Sequence, residues 1–369
     1  MKILDRYILR HFIQHFLFGL FSFIIIFIIV DLFENLDRFI DRNVGVFMVA
    51  KYYFFFIPDI LKLIIPVGML LASLFTISRF ANYSELTAFK SAGISVYRYL
   101  MPIMIFGVII TIFSLYFNGW VVPEANRLKF NFERSYLGKN TVPNVIQNIF
   151  IKDMPNRIIN VELYDKIAKK CQNVSIEIFD PDTLRILRKR YDIREMLWNV
   201  QRNEWLLNNI TYRIFNNLVS ENLQFIPESF LTSFSDIKNI DVNPEILDKK
   251  QLRPEELKLD EFKVYVEKLE GSGQPAFKEN VDYYSAIAFP FANLVTIIFG
   301  VAISSNKRNA SAALHFGISM IVSFLYLGFM KIVQVFGYNG DLPPILAAWL
   351  GNLVFLLISI LNFIVSNKT

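Results

Sequence analysis

The stretch FLFGLFSFIIIFIIV, residues 16–30, holds no charge and no proline and runs directly into DLFENLDRF at 31–39. With the apolar residues before it the run fills about 12–32, enough helix to cross the hydrocarbon layer of a bilayer. Lys2, Arg6 and Arg10 in front of it imitate the start of a signal peptide. No small-residue cleavage site follows, so the run reads as a retained first span.

The same texture recurs at about 55–77, 99–119, 283–303, 311–332 and 345–365, with a polar insert of about 160 residues between the third and fourth runs. Of the 369 residues, 54% are hydrophobic, including 37 Phe, whereas soluble domains sit nearer 45–50%. These patterns predict an α-helical membrane protein with six transmembrane helices in a 3+3 arrangement and an inserted all-β domain, jelly-roll-like. The expected domains are 1–120, 121–280 and 281–369. A net charge of +5 reads as orientation and lipid contact, so no nucleic-acid partner is expected. The single cysteine, Cys171, excludes an internal disulfide.

Lys and Arg near the span ends orient the chain. Lys2, Arg6, Arg10, Arg79, Lys90, Arg98, Lys307, Arg308 and Lys368 fall on one side, against Arg38, Arg42 and Lys51 on the other. That bias predicts cytoplasmic termini, an outside insert and a cytoplasmic segment at 82–95. Three spans on either side of an outside domain make the halves run in opposite directions, as in secondary transporters with inverted repeats. No internal sequence repeat accompanies that geometry.

The insert changes period. VSIEIFD (174–180) alternates Val174, Ile176 and Ile178 against Ser175 and Glu177, and NIFIKD (148–153) and RIINVELYD (157–165) do likewise. WLLNNITYRIF (205–215) sets Leu206, Ile210, Tyr212 and Ile214 against Leu207, Asn209, Thr211 and Arg213. With turn signals at DPDT (180–183) and VQRN (200–203), this predicts a β-sandwich or jelly roll over about 140–245. RPEELKLDEFKVYVEKLEG (253–271) reads as an amphipathic helix, and GSGQP (271–275) as a flexible joint.

NYSELTAFKSAGIS, residues 82–95, is too polar for a span and too patterned for a linker. Asn82 with Glu85 three residues on reads as a helix start, and Gly93 as its stop. Leu86 and Phe89 would share one apolar face. Two readings stay open: a solvated connector whose acid complements the helix dipole, or a small helix that docks in a groove of a cytoplasmic partner.

Catalytic patterns are absent. No G-x-x-x-x-G-K-[ST] loop is present, and the Gly138–Lys139 pair lacks the upstream glycine. His11, His15 and His315 have no ligand-spaced partners, so no metal site is expected. Ser319 lies one turn from His315 without a glycine run for an oxyanion hole. The chain reads as a non-catalytic subunit. Two rival classes remain beside a driven permease: an ion-coupled secondary transporter with inverted halves, and a membrane receptor or scaffold with an extracytoplasmic β-domain. Asp31, Glu34 and Asp59 are the acids a coupled carrier would draw on, and all fall near the outer face of the predicted layout.

Four segments in order, LDRYILRHF (4–12), RFANYSELTAFKSAGIS (79–95), NGWVVPEANR (118–127) and LPPILAAWLGNLVF (342–355), resemble the lipopolysaccharide-export permease family, the LptF/LptG (YjgP/YjgQ) proteins. The resemblance spans essentially the whole chain, and LDRYI and AAW lean towards the G-type paralogue. The family often carries proline where this chain has Gly351. The resemblance implies an inner-membrane permease that pairs with a paralogue and binds a cytoplasmic ATP-binding-cassette ATPase dimer, itself holding no cofactor. It further implies a single-span periplasmic accessory protein with a bridge of jelly rolls, and lipopolysaccharide as cargo. The helix at 82–93 becomes the coupling element, with Glu85 facing the ATPase and Leu86 and Phe89 beside it. Extracting acyl chains costs about 0.8 kcal/mol per CH₂, so such a permease needs external work. Lys62 and Lys331, near outer span ends, and Arg38 and Arg42, after the first span, are candidate contacts for the lipid phosphates. Asp59, three residues before Lys62, is a rival partner for that lysine.

Overall fold

The computed structural model describes residues 3–138, 145–181, 183–216, 220–240, 242–244, 247, 253–271, 275–304 and 312–368. Lys2, Lys139, Asp182, Lys307, Arg308 and the 272–274 part of the expected joint lie outside these residues. The chain divides into two compact units, residues 1–138 with 277–369, and residues 139–276.

The first unit is helical. Its elements are α1 (Ile3–Asp41), α2 (Val46–Asn82), α3 (Glu85–Ser91), α4 (Val96–Tyr116) and α5 (Val122–Phe132), then α7 (Phe277–Ala288), α8 (Ala292–Ser304), α9 (Ala312–Tyr338) and α10 (Pro344–Lys368); α6 (Leu259–Gly271) belongs to the second unit. Among the described residues six helical segments are long and apolar enough to cross a membrane; the first four contain the expected spans and the last two overlap theirs. The first four overrun the apolar run because a helix satisfies its own backbone bonds and need not stop at the lipid boundary. The third overruns furthest. A π-helical turn, Phe117–Val121, carries α4 into α5, and a second, Glu133–Leu137, ends in left-handed Gly138. Phe132 packs with Phe39, Tyr52 and Leu137. Residues 121–138 therefore belong to the helical unit.

Helix α2 is the centre of this unit. Its apolar window is mostly buried, whereas those of α1, α4, α9 and α10 leave most of their surface uncovered. Pro290 breaks the fourth span at a 3₁₀ turn, Phe289–Phe291. Just before this turn the carbonyl of Ala288 accepts the Asn352 side-chain amide at 2.7 Å, and Asn352 in turn accepts the Tyr326 hydroxyl. One asparagine thus pins three helices, as polar side chains do between membrane helices. Beside it, a Cβ on Gly351 would lie 2.5 Å from the Cγ of Met330. The glycine thus lets α10 sit directly on α9.

The second unit carries β1 (Val145–Met154), β2 (Arg157–Asp165), β3 (Lys170–Phe179), β4 (Leu187–Asn199), β5 (Glu204–Asn216) and β6 (Ser220–Phe230). The inserted β-domain is present, but its connectivity differs from the jelly roll expected. The strands form one antiparallel sheet in sequence order, a meander without crossovers. A crease runs across it. Regular pairing skips Asn148, Glu162, Asn173, Arg194, Asn209 and Pro227 in successive strands. The three asparagines, on alternate strands, have φ of 56°, 49° and 55°. Buried residues are spaced by two on each side of this line and by three across it: Val161 to Tyr164, Cys171 to Val174, Ile193 to Met196, Leu207 to Ile210. The offset returns the same apolar face to the core after the crease, so both halves of a single sheet enclose one core. This is why the sandwich was expected: one creased sheet buries the strand pattern of two. It also corrects the alternation read in β5, where Leu207 is fully buried and Leu206 only half. Pro227 falls at a skipped position, where its missing N–H costs no ladder bond.

Asparagine tolerates the left-handed region and β-branched residues do not. Asn209→Val should therefore destabilise this unit by about 2 kcal/mol, while Asn209→Gly stays within about 1 kcal/mol. Thermal melting of the two full-length variants checks the contrast.

The amphipathic helix expected from residue 253 starts later. Residues Pro254–Glu256 form a 3₁₀ turn, and α6 begins at Leu259 with the Lys258 amide donating to Glu261 at 3.2 Å.

Candidate functional site

The segment at 82–95 forms a seven-residue helix, α3, at the end of the first unit where α1 begins. The residue before α3 is Ser84 and not Asn82. Helix α2 continues through Asn82, and Ser84, at φ 59°, supplies the carbonyl for the first intrahelical bond, from the Ala88 amide. The stop is as expected: Gly93 is left-handed, and the Ile94 amide closes on the Phe89 carbonyl at 2.9 Å.

Leu86 and Phe89 do share a face, but it points into the bundle. Both pack on the cluster of Ile8, Phe12, Ile77, Phe80 and Tyr99, with Phe89 edge-on to Phe80. The two residues anchor α3 and do not offer an open apolar knob, because an exposed apolar face so near a core is more stable turned towards it. The outward face carries Thr87, Ala88 and Ser91.

Glu85 is half-buried, and both its carboxylate oxygens accept from the Tyr7 hydroxyl, at 3.0 and 3.1 Å. Two residues before Tyr7, Asp5 pairs with Arg98 of α4 at 2.9 Å. The first turn of α1 thus grips α3 with one side chain and α4 with another. Further in, His15 Nδ1 lies 2.9 Å from Thr76 Oγ1 of α2. Sequence reasoning placed Tyr7 and Arg98 in the right segments without assigning them a contact. Their partners lie 78 and 93 residues away, a separation that no local pattern encodes.

At the opposite end of the unit, Asp59 does not pair with Lys62. It takes Lys129 of α5 at 3.1 Å and the Asn126 amide at 3.4 Å. Lys129 also stands over the rings of Phe56 and Phe130, at 4.6 and 4.8 Å. Nearby, Tyr53 donates to Asp31 at 3.1 Å and Tyr52 to Glu133 at 3.3 Å. Asp31 and Asp59 are therefore already engaged. Lys62 is half-buried with no acid paired to it among the described residues. Lys331 is exposed on α9 between uncovered Ile332, Val335 and Phe336. Arg38 is exposed on the last turn of α1, and the Arg42 guanidinium lies against Gly138, 2.6 Å from where a Cβ there would sit. The four candidate cations are thus spread over α1, the turn after it, α2 and α9. Ser319 donates to the Phe316 carbonyl at 2.8 Å, and the side chain of His315 lies outside the described residues.

In the second unit a cavity of about 230 Å³ is lined by Asn156, Arg157, Arg188, Lys189 and Asp236. Each cation there already has an acid: Arg157 has Asp153, Arg188 has Asp180, and Lys189 has Asp236. The Lys189 ammonium holds the Asp236 carboxyl below its usual range, and Asp236 raises the Lys189 ammonium in return. Burial pushes the Cys171 thiol up to about 12, so it stays protonated and inert. These pairs are internal struts of the β unit.

Six helices apolar enough to span a membrane among the described residues, a creased β insert and a short helix hooked to the bundle at one end define the chain as a multi-pass membrane protein. The sequence model of the family described as "Lipopolysaccharide export system permease LptF/LptG" matches residues 6–364, and the chain belongs to that family. It is 21% identical over 319 residues, 84% of each chain, to "Lipopolysaccharide export system permease protein LptG" of Escherichia coli strain K12, and equally to the protein of that name from E. coli O6:H1. Both similarities are to the G-type paralogue. The chain is a transport permease subunit of the inner membrane, with export of lipopolysaccharide as its role and no catalytic part of its own.

Proposed function

We propose that this chain is the membrane half of an ATP-driven exporter, paired with a paralogous permease and worked through α3 by a cytoplasmic ATP-binding-cassette ATPase dimer. ATP is bound by that partner and not by this chain. The observation that carries the reading is α3 itself: a short helix turned to the bundle by Leu86 and Phe89, with Glu85 at its first residue and the small residues Thr87, Ala88 and Ser91 outward. A carboxylate that accepts one hydroxyl keeps lone pairs free for a cation of the partner. The Lys and Arg bias of the short loops supports a cytoplasmic position for this end and a periplasmic one for the β unit. There the β unit meets a single-span accessory protein of the bridge, and an open edge strand gives it the means.

The uncovered apolar faces of α1 and α9 support a lipid path along those helices, with Phe18, Phe21 and Ile25 on one and Ile321, Phe324 and Leu325 on the other. Lys62 and Lys331 are the cations best placed to meet lipid phosphate, since neither is held by an acid among the described residues. Arg38 and Arg42 serve the same headgroups at the outer end of α1.

Co-expression with the ATPase subunit tests the reading. The wild-type chain should be recovered as a complex whose ATP hydrolysis rises with lipopolysaccharide. Glu85→Lys should cut recovery or transport by at least tenfold while the permease still inserts, since a like charge replaces a salt-bridge partner. Lys62→Glu or Lys331→Glu should weaken the stimulation by lipopolysaccharide alone. Normal complex and transport with Glu85→Lys would return α3 to a plain connector.

A further inference from the structure

We infer that Tyr7 is the positioning residue through which α3 moves the first span: its hydroxyl ties α1 to Glu85, so a push on α3 is carried into α1. The inference rests on the proposed role of α3 and adds the route by which its movement leaves it.

The geometry is specific. Helix α3 is only about two turns long and is joined to α2 by two residues and to α4 by four. Its contacts with the bundle are of two kinds. Leu86 and Phe89 make apolar contacts that slide without a preferred direction. The hydrogen bond from Tyr7 to both oxygens of Glu85, at 3.0 and 3.1 Å, is directional and charge-assisted. The Tyr7 ring is itself fixed, edge-on to His11 at 4.7 Å and stacked on Phe80 at 5.9 Å. A displacement of Glu85 therefore meets a ring that cannot rotate away. It must carry α1 or break the bond.

The second grip sharpens the point. Asp5 holds the same turn of α1 to Arg98 at the start of α4. Residues two apart on a helix face away from each other, so Tyr7 and Asp5 connect α1 to the two elements on either side of the 92–95 turn. When α3 shifts relative to α4, the two bonds pull the first turn of α1 in different directions. An axial helix end held so is a lever, and α1 is the span whose apolar window is least buried among the described residues.

Tyr7→Phe removes one oxygen and keeps the ring that packs on Phe80 and His11. In the full complex reconstituted with lipopolysaccharide, it should lower the amount exported per ATP hydrolysed about tenfold, the effect of losing one charge-assisted hydrogen bond. Complex recovery should stay normal. Adding Glu85→Gln to Tyr7→Phe should cost less than the two separate losses combined, because the two act through one bond. A merely structural Tyr7 would instead lower the melting temperature of the complex and leave the ratio of export to hydrolysis as in wild type; that outcome overturns the inference. If Glu85→Lys uncouples and Tyr7→Phe does not, the inference alone fails and the role of α3 stands. If neither changes coupling, the role of α3 falls with it.

Discussion

Trp205→Ala should cost the β unit about 4 kcal/mol. Trp205 is 1% exposed, the largest fully buried side chain among the described residues. It sits at the end of β5 nearest the turn, edge-on to Trp198 across the ladder, with ring centroids 5.1 Å apart. Its indole N–H donates to the carbonyl of Val242, in the segment that follows the sheet. Truncation to alanine opens a cavity against Trp198 and leaves that carbonyl without its donor, two losses that add. Trp205→Phe refills most of the space and forfeits only the hydrogen bond, so it should cost about 1–2 kcal/mol. Tryptophan fluorescence during denaturant unfolding of the full chain separates the two variants. Equal and small losses in both would mean that the closing segment contributes nothing to the core.

Lys129→Ala should be nearly as damaging to the helical unit, about 3 kcal/mol, whereas Lys129→Met combined with Asp59→Asn should restore most of that loss. Lys129 has an 8% exposed side chain and pairs with Asp59 of α2. Removing it leaves the carboxylate with only the Asn126 amide, in a setting where an unpaired charge is costly. The ring contacts with Phe56 and Phe130 go as well. Replacing both charges removes the uncompensated acid, and the methionine stem keeps the packing. Melting in detergent of the single and double variants measures the recovery. A double variant no better than Lys129→Ala would assign the loss to packing alone.

How much of this was legible in the sequence depends on how local the signal is. The spans were readable because twenty apolar residues have few other uses, and the Gly93 stop because a left-handed residue closes a helix by itself. The β insert was readable from period 2. The meander was not, since strand order is a matter of pairing, and the three asparagines that crease the sheet look like any polar break in an alternating run. At 82–95 the helix was legible while its orientation was not. Leu86 and Phe89 make an apolar face whether it points to a partner or to the bundle, and only the position of Phe80 and Tyr99 decides. Asp59 was read with its neighbour Lys62 because sequence proximity is visible, yet it found Lys129, 70 residues on, through the unforeseen continuation of the third span into α5.

The first three crossings measure 39, 37 and 41 residues. At 1.5 Å per residue they are about 55–62 Å long, against a hydrocarbon layer of about 30 Å. Each therefore carries a surplus of about 25–30 Å of helix. Much of it lies at the end of this unit where Asp59, Lys129 and Glu133 are found, and the ion pair and tyrosine hydrogen bonds there join helix to helix along that extension. Polar side chains of this kind belong on helix that has outrun the hydrocarbon, where water and headgroups lower the cost of a charge.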